Sequence, residues 1–166
     1  MRYRVTSGTL TVQARSRLHD TTTVWNKLGG DVDADPETLA TAGAIARFEV
    51  DMTAFDAGDF LKNRKLRSDF DLARHPKASF ELTRLRDVAR DADTFTALAE
   101  GVLGWRDRKV ELALSGRGTL DAMEISATAT FTFDIRTIGL SAPRFLMFKV
   151  EDEVTVTVAI RGQAVR

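Results

Sequence analysis

The sequence lacks several residue types that particular kinds of site require. It contains no cysteine, which excludes a disulfide scaffold, a cysteine nucleophile and any thiolate metal site. Its two histidines, His19 and His75, have no spaced carboxylate pair beside them, so the residues favour no metal site. Twenty-four Lys and Arg balance 24 Asp and Glu, so no net field attracts nucleic acid. We therefore expect no cofactor and no nucleic-acid partner.

Long apolar runs are also missing. The longest stretch without a charged residue, Val5–Ala14, has ten residues, whereas a membrane-spanning helix needs about 20. The first residues contain no apolar stretch typical of a secretory leader. A chain of 166 residues fits one domain of ordinary size. We expect a single cytoplasmic domain over 1–166 with no stable membrane insertion.

Alternation of apolar and polar residues is the main pattern present. It runs unbroken over Ile125–Ile135 and again over Val154–Ile160, as expected of strands with one buried face. The same pattern is found at Leu10–Ala14, Phe48–Met52, Phe80–Leu82, Phe95–Ala99 and Val110–Leu114. These segments predict about seven strands, or eight if Thr22–Leu28 is included.

Strands with one apolar and one polar face are typical of antiparallel sheets, because parallel sheets are buried on both faces. An antiparallel sheet of about eight strands usually closes on itself, which removes its edges. The pattern therefore predicts an all-β closed barrel, with a two-sheet sandwich as the alternative. Glycines at Gly29–Gly30, Gly101 and Gly116–Gly118 are interpreted as turns between strands.

The segment Asp56–Leu72 departs from the strand pattern. Its apolar residues have near-helical spacing, at Phe60, Leu61, Leu66 and Phe70. Asp56 is a plausible N-cap, Asp59 suits the first turn, and Pro76 disfavours helix immediately before it. We expect one or two short helices here that cover an open end of the barrel.

Charge is unevenly distributed along the chain. Residues 62–90 contain nine Lys or Arg and four Asp or Glu. Two interpretations stay open: an ordinary solvated surface, or a collar for an anionic head group or a lipid surface.

The same central region resembles a known family, the YceI-like proteins. The resemblance rests on three blocks, Val50–Gly58, Asn63–Phe70 and His75–Phe80. The C-terminal half is similar as well, with Phe131–Ile135 followed by a short turn at Ile138–Leu140 and by Val150–Val156. The likeness extends over about residues 9 to 162.

The resemblance implies a lipocalin-like eight-stranded antiparallel barrel with one or two short helices over an open end. It further implies that the barrel interior binds a polyisoprenoid, such as an isoprenoid quinone precursor, or another long-chain amphiphile such as a fatty chain. We therefore predict a non-enzymatic protein that sequesters or carries such a ligand. An interior able to hold one small ligand agrees with the general behaviour of barrels of this size.

The candidate ligand-binding residues lie on the apolar face of the predicted strands. Small side chains such as Ala127 and Ala129 leave room that larger residues would fill, and Ala97 and Ala99 form a second small patch. The full set is Phe48, Val50, Met52, Phe80, Leu82, Phe95, Val110, Leu112, Leu114, Ala127, Ala129, Phe131, Phe133 and Ile135. A filled core is the alternative interpretation of the same residues.

Polar recognition would come from the mouth. Asn63, Arg64 and Arg67 on the predicted helix could contact a phosphate, hydroxyl or quinone head group, and exposed solvated side chains are the alternative.

Two other functions stay open. An enzyme acting on the same ligand would use His19, Asp20 or His75 for acid–base chemistry. His19, Asp20 and Thr21–Thr23 cannot form a local catalytic triad, because neighbouring residues of an extended chain point to opposite faces. A filled barrel could instead dock an acidic partner on its basic face. We assign no catalytic residue, and formation of a homodimer stays undecided.

Overall fold

The computed structural model of the chain describes residues 1–17, 20–141, 144–145 and 148–166. The strands of this part of the chain are β1 Arg2–Ser16, β2 Thr21–Trp25, β3 Leu28–Ala34, β4 Ala44–Asp51, β5 Phe55–Asp56, β6 Lys77–Asp91, β7 Thr94–Trp105, β8 Arg108–Leu120, β9 Glu124–Asp134, β10 Arg144–Phe145 and β11 Phe148–Ala164. The helices are α1 Leu39–Ala42, α2 Phe60–Asp69 and a 3-10 helix at Ile135–Ile138.

Eight of the strands form a closed ring. Antiparallel pairing runs in the order β11, β9, β8, β7, β6, β4, β3 and β1, and β1 then pairs with β11. Closure leaves the ring without an open edge, which is how such a sheet avoids unpaired backbone groups. The prediction of a closed eight-stranded antiparallel barrel is confirmed, and the two-sheet alternative is wrong.

Three short strands extend this ring. β2 pairs with β1 beside β3, on the edge of β1 away from β11, so β2 and β3 act as one strand interrupted at residues 26–27. β5 pairs with β2 in the same way that β4 pairs with β3. β10 forms a short hairpin with β11. The predicted segment Thr22–Leu28 therefore spans the interruption.

The glycines interpreted as turns lie inside strands instead. Gly30 is in β3, Gly101 in β7 and Gly118 in β8. A Cβ at Gly30 would lie 2.2 Å from the carbonyl oxygen of Arg47, and one at Gly101 would lie 2.3 Å from the Phe80 ring. These positions lack a side chain because a neighbouring strand or ring occupies its space, which a sequence pattern cannot distinguish from a turn.

Helix α2 lies in the connection from β4 to β6, within the predicted segment. Its N-cap is Asp59, whose side chain accepts a hydrogen bond from the Lys62 N–H at 2.8 Å. The prediction of Asp56 as N-cap is wrong, because Asp56 accepts from the Gly58 N–H in the preceding turn. The short helix α1 was not predicted, and it buries Leu39 at the opposite end of the barrel.

The two ends of the barrel therefore differ. We call them the α1 end, which includes Leu39 and Leu120, and the α2 end, which includes Leu66 and Phe70. No helix in the described part of the chain is long and apolar enough to cross a bilayer.

Candidate functional site

A cavity of about 230 Å³ occupies the barrel toward the α1 end. Small side chains on several strands create its space: Ala34, Ala44, Ala46, Ala78, Ala97, Ala99, Ala127 and Ala129. Ser79 and Thr128 are the polar side chains on its wall, and the remainder of the lining is apolar. A wall of this kind favours a hydrocarbon over any ligand rich in hydrogen-bonding groups.

A second cavity, of about 170 Å³, lies toward the α2 end. Leu66 and Phe70 of α2 form part of its lining, so the helix closes this end of the interior. Among the described residues, the polar side chains on its wall are Thr21, Thr23 and Glu151. Leu10, Ala78, Leu103 and Phe131 line both cavities. The two cavities therefore lie next to each other along the barrel, with these four side chains between them.

The combined interior is long and narrow. Strand β9 lines it from Ile125 at the α1 end to Phe133 at the α2 end. Eight residue steps at about 3.3 Å give about 26 Å along the strand, and a tilt near 40° reduces this to about 20 Å along the barrel axis. The shape suits an extended chain better than a compact ring system.

Thirteen of the fourteen candidate ligand-binding residues line one of these two cavities. Phe48, Val50, Phe80, Leu82, Phe95, Leu112, Leu114, Ala127, Ala129 and Phe131 line the first, and Phe131 also lines the second with Met52, Phe133 and Ile135. Val110 lines neither cavity and packs against the core instead. Contact of these residues with a ligand stays a prediction.

Strands β1 and β11 also line the interior, and their residues were not among the candidates. Leu10, Val12 and Ala14 come from β1, and Val154, Val156 and Val158 from β11. The same alternation that marked the other strands was present at these positions. The site could have been extended to them by treating every apolar strand face alike, because a closed barrel turns all of these faces inward.

Strands β8 and β9 are not paired along their whole length near the α2 end. Their pairing extends from Leu120–Ile125 to Ser115–Thr130, and no pairing joins the described residues beyond that point. The paired stretch has small inward residues opposite each other, such as Gly116 and Ala129. Where the strands separate, the inward residues are large, and Leu112, Leu114 and Phe131 are only half-buried.

Four aromatic rings close the α2 end. Phe70 of α2 lies with its ring centroid 5.3 Å from Trp105, 6.3 Å from Trp25 and 6.0 Å from Phe55. Trp25 and Phe55 are 5.7 Å apart. The two indole N–H groups donate to backbone carbonyls, that of Trp25 to Met52 at 3.2 Å and that of Trp105 to His75 at 3.0 Å. These N–H groups therefore hold the closing cluster together and do not face a ligand.

The three predicted mouth residues have different surroundings. Asn63 accepts a hydrogen bond from the Ala57 N–H at 2.6 Å and donates to Asp56 at 3.3 Å, so its amide fixes the turn before α2. Hydrogen bonds from the Gly58 N–H and from Asn63 lower the pKa of Asp56. Arg67 is exposed, with its guanidinium 5.2 Å from the centre of the Phe55 ring. Arg64 is exposed on the outer side of the helix.

A residue missed by the sequence reasoning anchors the other end of α2. Arg106, in the turn between β7 and β8, donates from Nη1 to the carbonyl oxygens of Asp69 at 3.2 Å and Phe70 at 3.0 Å. These carbonyls belong to the C-terminus of the helix, where a cation is favourable. Its role depends on the packing of two distant segments, so no local pattern reveals it.

Of the residues proposed for acid–base chemistry, the two that the structure describes, Asp20 and His75, line neither cavity. His19 lies outside the described residues, and Asp20 is exposed. Strand β2 directs Thr21 and Thr23 inward and Thr22 outward, so neighbours point to opposite faces. The described residues contain no group of three His, Asp or Glu side chains placed to hold a metal ion.

Comparison with protein families matches the chain to the YceI-like domain over residues 3–161. No similar protein was found among curated sequences.

Solved structures of similar fold come from several bacteria. A polyisoprenoid binding domain from Saccharophagus degradans, implicated in plant cell wall breakdown, is 15% identical with a TM-score of 0.78, and 98% of each chain is covered. BcnA of Burkholderia cenocepacia is 16% identical with a TM-score of 0.76, covering 93% of this chain and 95% of that one. The YceI protein of Campylobacter jejuni is 10% identical with a TM-score of 0.68, covering 87% and 85%. At these identities the likeness shows a shared fold.

Proposed function

The chain belongs to the YceI-like family, and from this premise we propose that it is a non-enzymatic protein that sequesters or carries a polyisoprenoid or another long-chain amphiphile. The observation that carries the proposal is the interior itself, a narrow apolar space about 20 Å long by strand geometry. The similar structure from Saccharophagus degradans is described as a polyisoprenoid binding domain, which supports the same class of ligand.

Transfer of hydrocarbon from water drives the binding. Each buried methylene contributes about 0.8 kcal/mol, so a chain of ten methylenes gains about 8 kcal/mol before its lost freedom is subtracted. The wall offers few polar side chains, so it selects for length and apolarity. A polar head group, such as that of an isoprenoid quinone, is accommodated at the α2 end, near exposed Arg64 and Arg67.

The walls of the two cavities support binding without chemistry. Their polar side chains are serine, threonine and Glu151, and no histidine, lysine or arginine is among the described lining residues. General acid–base catalysis needs a titratable group within hydrogen-bonding reach of the reacting atom. Glu151 alone, at one end of the space, provides no acid–base pair.

A series of ligands of increasing chain length tests the proposal. With one head group held constant, each added methylene should strengthen binding about fourfold, which corresponds to 0.8 kcal/mol. The gain should stop once the chain exceeds the barrel interior. Isothermal titration or displacement of a fluorescent fatty chain measures the constants. An affinity that does not depend on chain length would contradict the proposal.

Location and oligomeric state stay predictions. Cell fractionation tests the expected cytoplasmic location, and light scattering of the purified protein tests the homodimer.

A further inference from the structure

Two large apolar side chains project from the outer side of α2. Phe60 is 75% exposed and Leu61 is 74% exposed, and they occupy the first turn of the helix. The other large apolar side chains exposed in the described part of the chain are Met1, Ile45, Met123 and Val165. Strand pairing and backbone hydrogen bonds place these four at the α1 end. Among the residues whose side chains the structure describes, Phe60 and Leu61 therefore form the exposed apolar pair of the α2 end.

The fold of α2 does not require this pair. The helix packs on the barrel through Leu66 and Phe70, and its first turn is held by the Asp59 cap. Exposed positions of a helix are ordinarily polar, since an apolar side chain there gains nothing from folding. An adjacent pair of exposed large apolar residues indicates a surface that is covered in some other state.

Cationic side chains lie on the same side of the helix. Arg64 follows Phe60 by four residues and Lys65 follows Leu61 by four, so each lies one turn above its apolar partner on the same face. Both are exposed, as is Arg67. The helix carries four cations and one acid, Asp69, which pairs with Lys65 at 3.2 Å.

The first turn of α2 combines exposed apolar side chains with neighbouring Arg and Lys, a combination that suits contact with an anionic membrane interface. The apolar residues enter the boundary between head groups and acyl chains, and the cations meet anionic lipid. A protein partner with a matching acidic groove would also need to cover two projecting apolar side chains. Two projecting side chains can enter a fluid lipid interface without a groove of matching shape.

We propose that the outer face of α2 docks the protein on an anionic lipid bilayer through Phe60, Leu61, Arg64 and Lys65. This inference rests on the proposed function, because the same helix lines the ligand cavity with Leu66 and Phe70. Docking brings the α2 end to the bilayer. A long apolar chain then passes between lipid and barrel without crossing water.

Vesicle flotation tests the docking. The purified protein should float with vesicles of phosphatidylcholine and phosphatidylglycerol at low salt, and much less with phosphatidylcholine alone. Raising the salt concentration should weaken binding, because the cations are exposed and screened. Phe60→Ser/Leu61→Ser should reduce the partition coefficient at least tenfold, and Arg64→Glu should reduce it severalfold.

Matched controls distinguish binding through this surface from nonspecific adsorption of the protein to vesicles. Ile45→Ser/Met123→Ser removes two exposed apolar side chains at the α1 end and should leave vesicle binding unchanged. Arg117→Glu makes the same charge change as Arg64→Glu, on an exposed position of β8, and should have a much smaller effect. Equal losses in the control and test variants would overturn the proposal.

Ligand titration distinguishes failure of docking from failure of the proposed function. The Phe60→Ser/Leu61→Ser variant should keep wild-type affinity for a detergent-solubilised prenyl alcohol, because the cavity lining is unchanged. Normal ligand binding without any flotation of the wild-type protein would overturn the docking proposal alone. Flotation of a wild-type protein that binds no ligand would support the docking proposal and overturn the carrier function. A wild-type dimer that the Phe60→Ser/Leu61→Ser variant loses, without flotation, would assign the surface to a second copy.

Discussion

Alanine and glycine determine where the barrel interior has room. On β8 and β9 the small residues at inward positions of the paired stretch are Gly116, Gly118, Ala127 and Ala129, whereas Leu120 and Ile125 are the large ones. Side chains of ordinary size at the small positions would fill the space between the strands. The two glycines differ, however, in what surrounds the missing side chain.

We expect the two glycine-to-alanine substitutions to have different effects on the free energy of unfolding. A Cβ at Gly118 would lie 1.9 Å from the Ser126 carbonyl oxygen, so Gly118→Ala should lower the free energy of unfolding by more than about 2 kcal/mol. A Cβ at Gly116 would meet its nearest atom, the Thr128 carbonyl oxygen, at 3.7 Å. Gly116→Ala should be neutral or stabilising by up to about 1 kcal/mol. Chemical denaturation measures both, and equal destabilisation would contradict this geometry.

Filling the cavity should remove ligand binding while the protein still folds. In Ala129→Phe the new ring occupies space at the centre of the interior, so the affinity for a prenyl alcohol should fall at least tenfold with little change in melting temperature. Thr132→Phe adds a ring to an exposed position of the same strand and serves as control. Equal affinity in the two variants would argue against binding inside the barrel.

At the scale of elements, α2 is held mainly by its ends. Asp59 caps the N-terminus, and Arg106 satisfies two carbonyls at the C-terminus. Only Leu66 of the helix is fully buried. A helix with one buried side chain and anchored termini can move as a unit when an anchor is released.

Removing the C-terminal anchor should make α2 more mobile. Arg106→Gln loses two hydrogen bonds from a charged donor and should lower the free energy of opening of residues 60–70 by about 2 kcal/mol. Hydrogen exchange of these amides should accelerate while exchange in β7 and β8 is unchanged. Lys109→Gln, on an exposed neighbouring position, is the control. Unchanged exchange in α2 would show that Arg106 does not anchor it.

Most elements could be predicted from the sequence, and the errors share a cause. The alternation over Ile125–Ile135 corresponds to β9, and the helix over Phe60–Asp69 lies within its predicted segment. Gly101 and Gly118 were taken for turns because the close approach of a neighbouring strand leaves no local signal. Helix α1 has four residues, too few for a periodic pattern to be detected.

At the scale of the molecule, the sequence predicted which strand faces line the site, but it did not predict the size and arrangement of the cavities. Alternation identified which side chains point inward, and most of them line the two cavities. Three features depend on contacts between distant strands and loops: the division between the cavities at Phe131, the incomplete pairing of β8 with β9, and the use of Asn63 within the turn before α2. These contacts follow from closure of the ring, which no single segment encodes.

The stability of the whole barrel should decrease at high pH through Tyr3. Its side chain is completely buried, and its hydroxyl donates to the Asp121 carbonyl oxygen at 2.6 Å. Burial raises the pKa of Tyr3, and the negative charges of Asp121 and Asp35 raise it further. A folded-state pKa above the unfolded value of about 10 gives stabilisation that is complete below pH 10 and is lost as the pH rises through the folded value.

Tyr3 can be observed alone because it is the only tyrosine of the chain. Tyrosinate absorbance should appear above pH 10 in the native protein and near pH 10 in the unfolded protein. Tyr3→Phe should cost about 1 kcal/mol at neutral pH through the lost hydrogen bond, and it should reduce the alkaline loss of stability. A native tyrosine that titrates at its ordinary pKa would contradict the burial.

The central claim is that the barrel holds an apolar chain. Native mass spectrometry of the protein as purified, followed by organic extraction, tests it most directly. We predict an adduct that leaves the protein on extraction and has the mass of a prenyl or acyl chain with its head group. A ligand-free mass, together with a melting temperature that does not change when prenyl compounds are titrated, would contradict it.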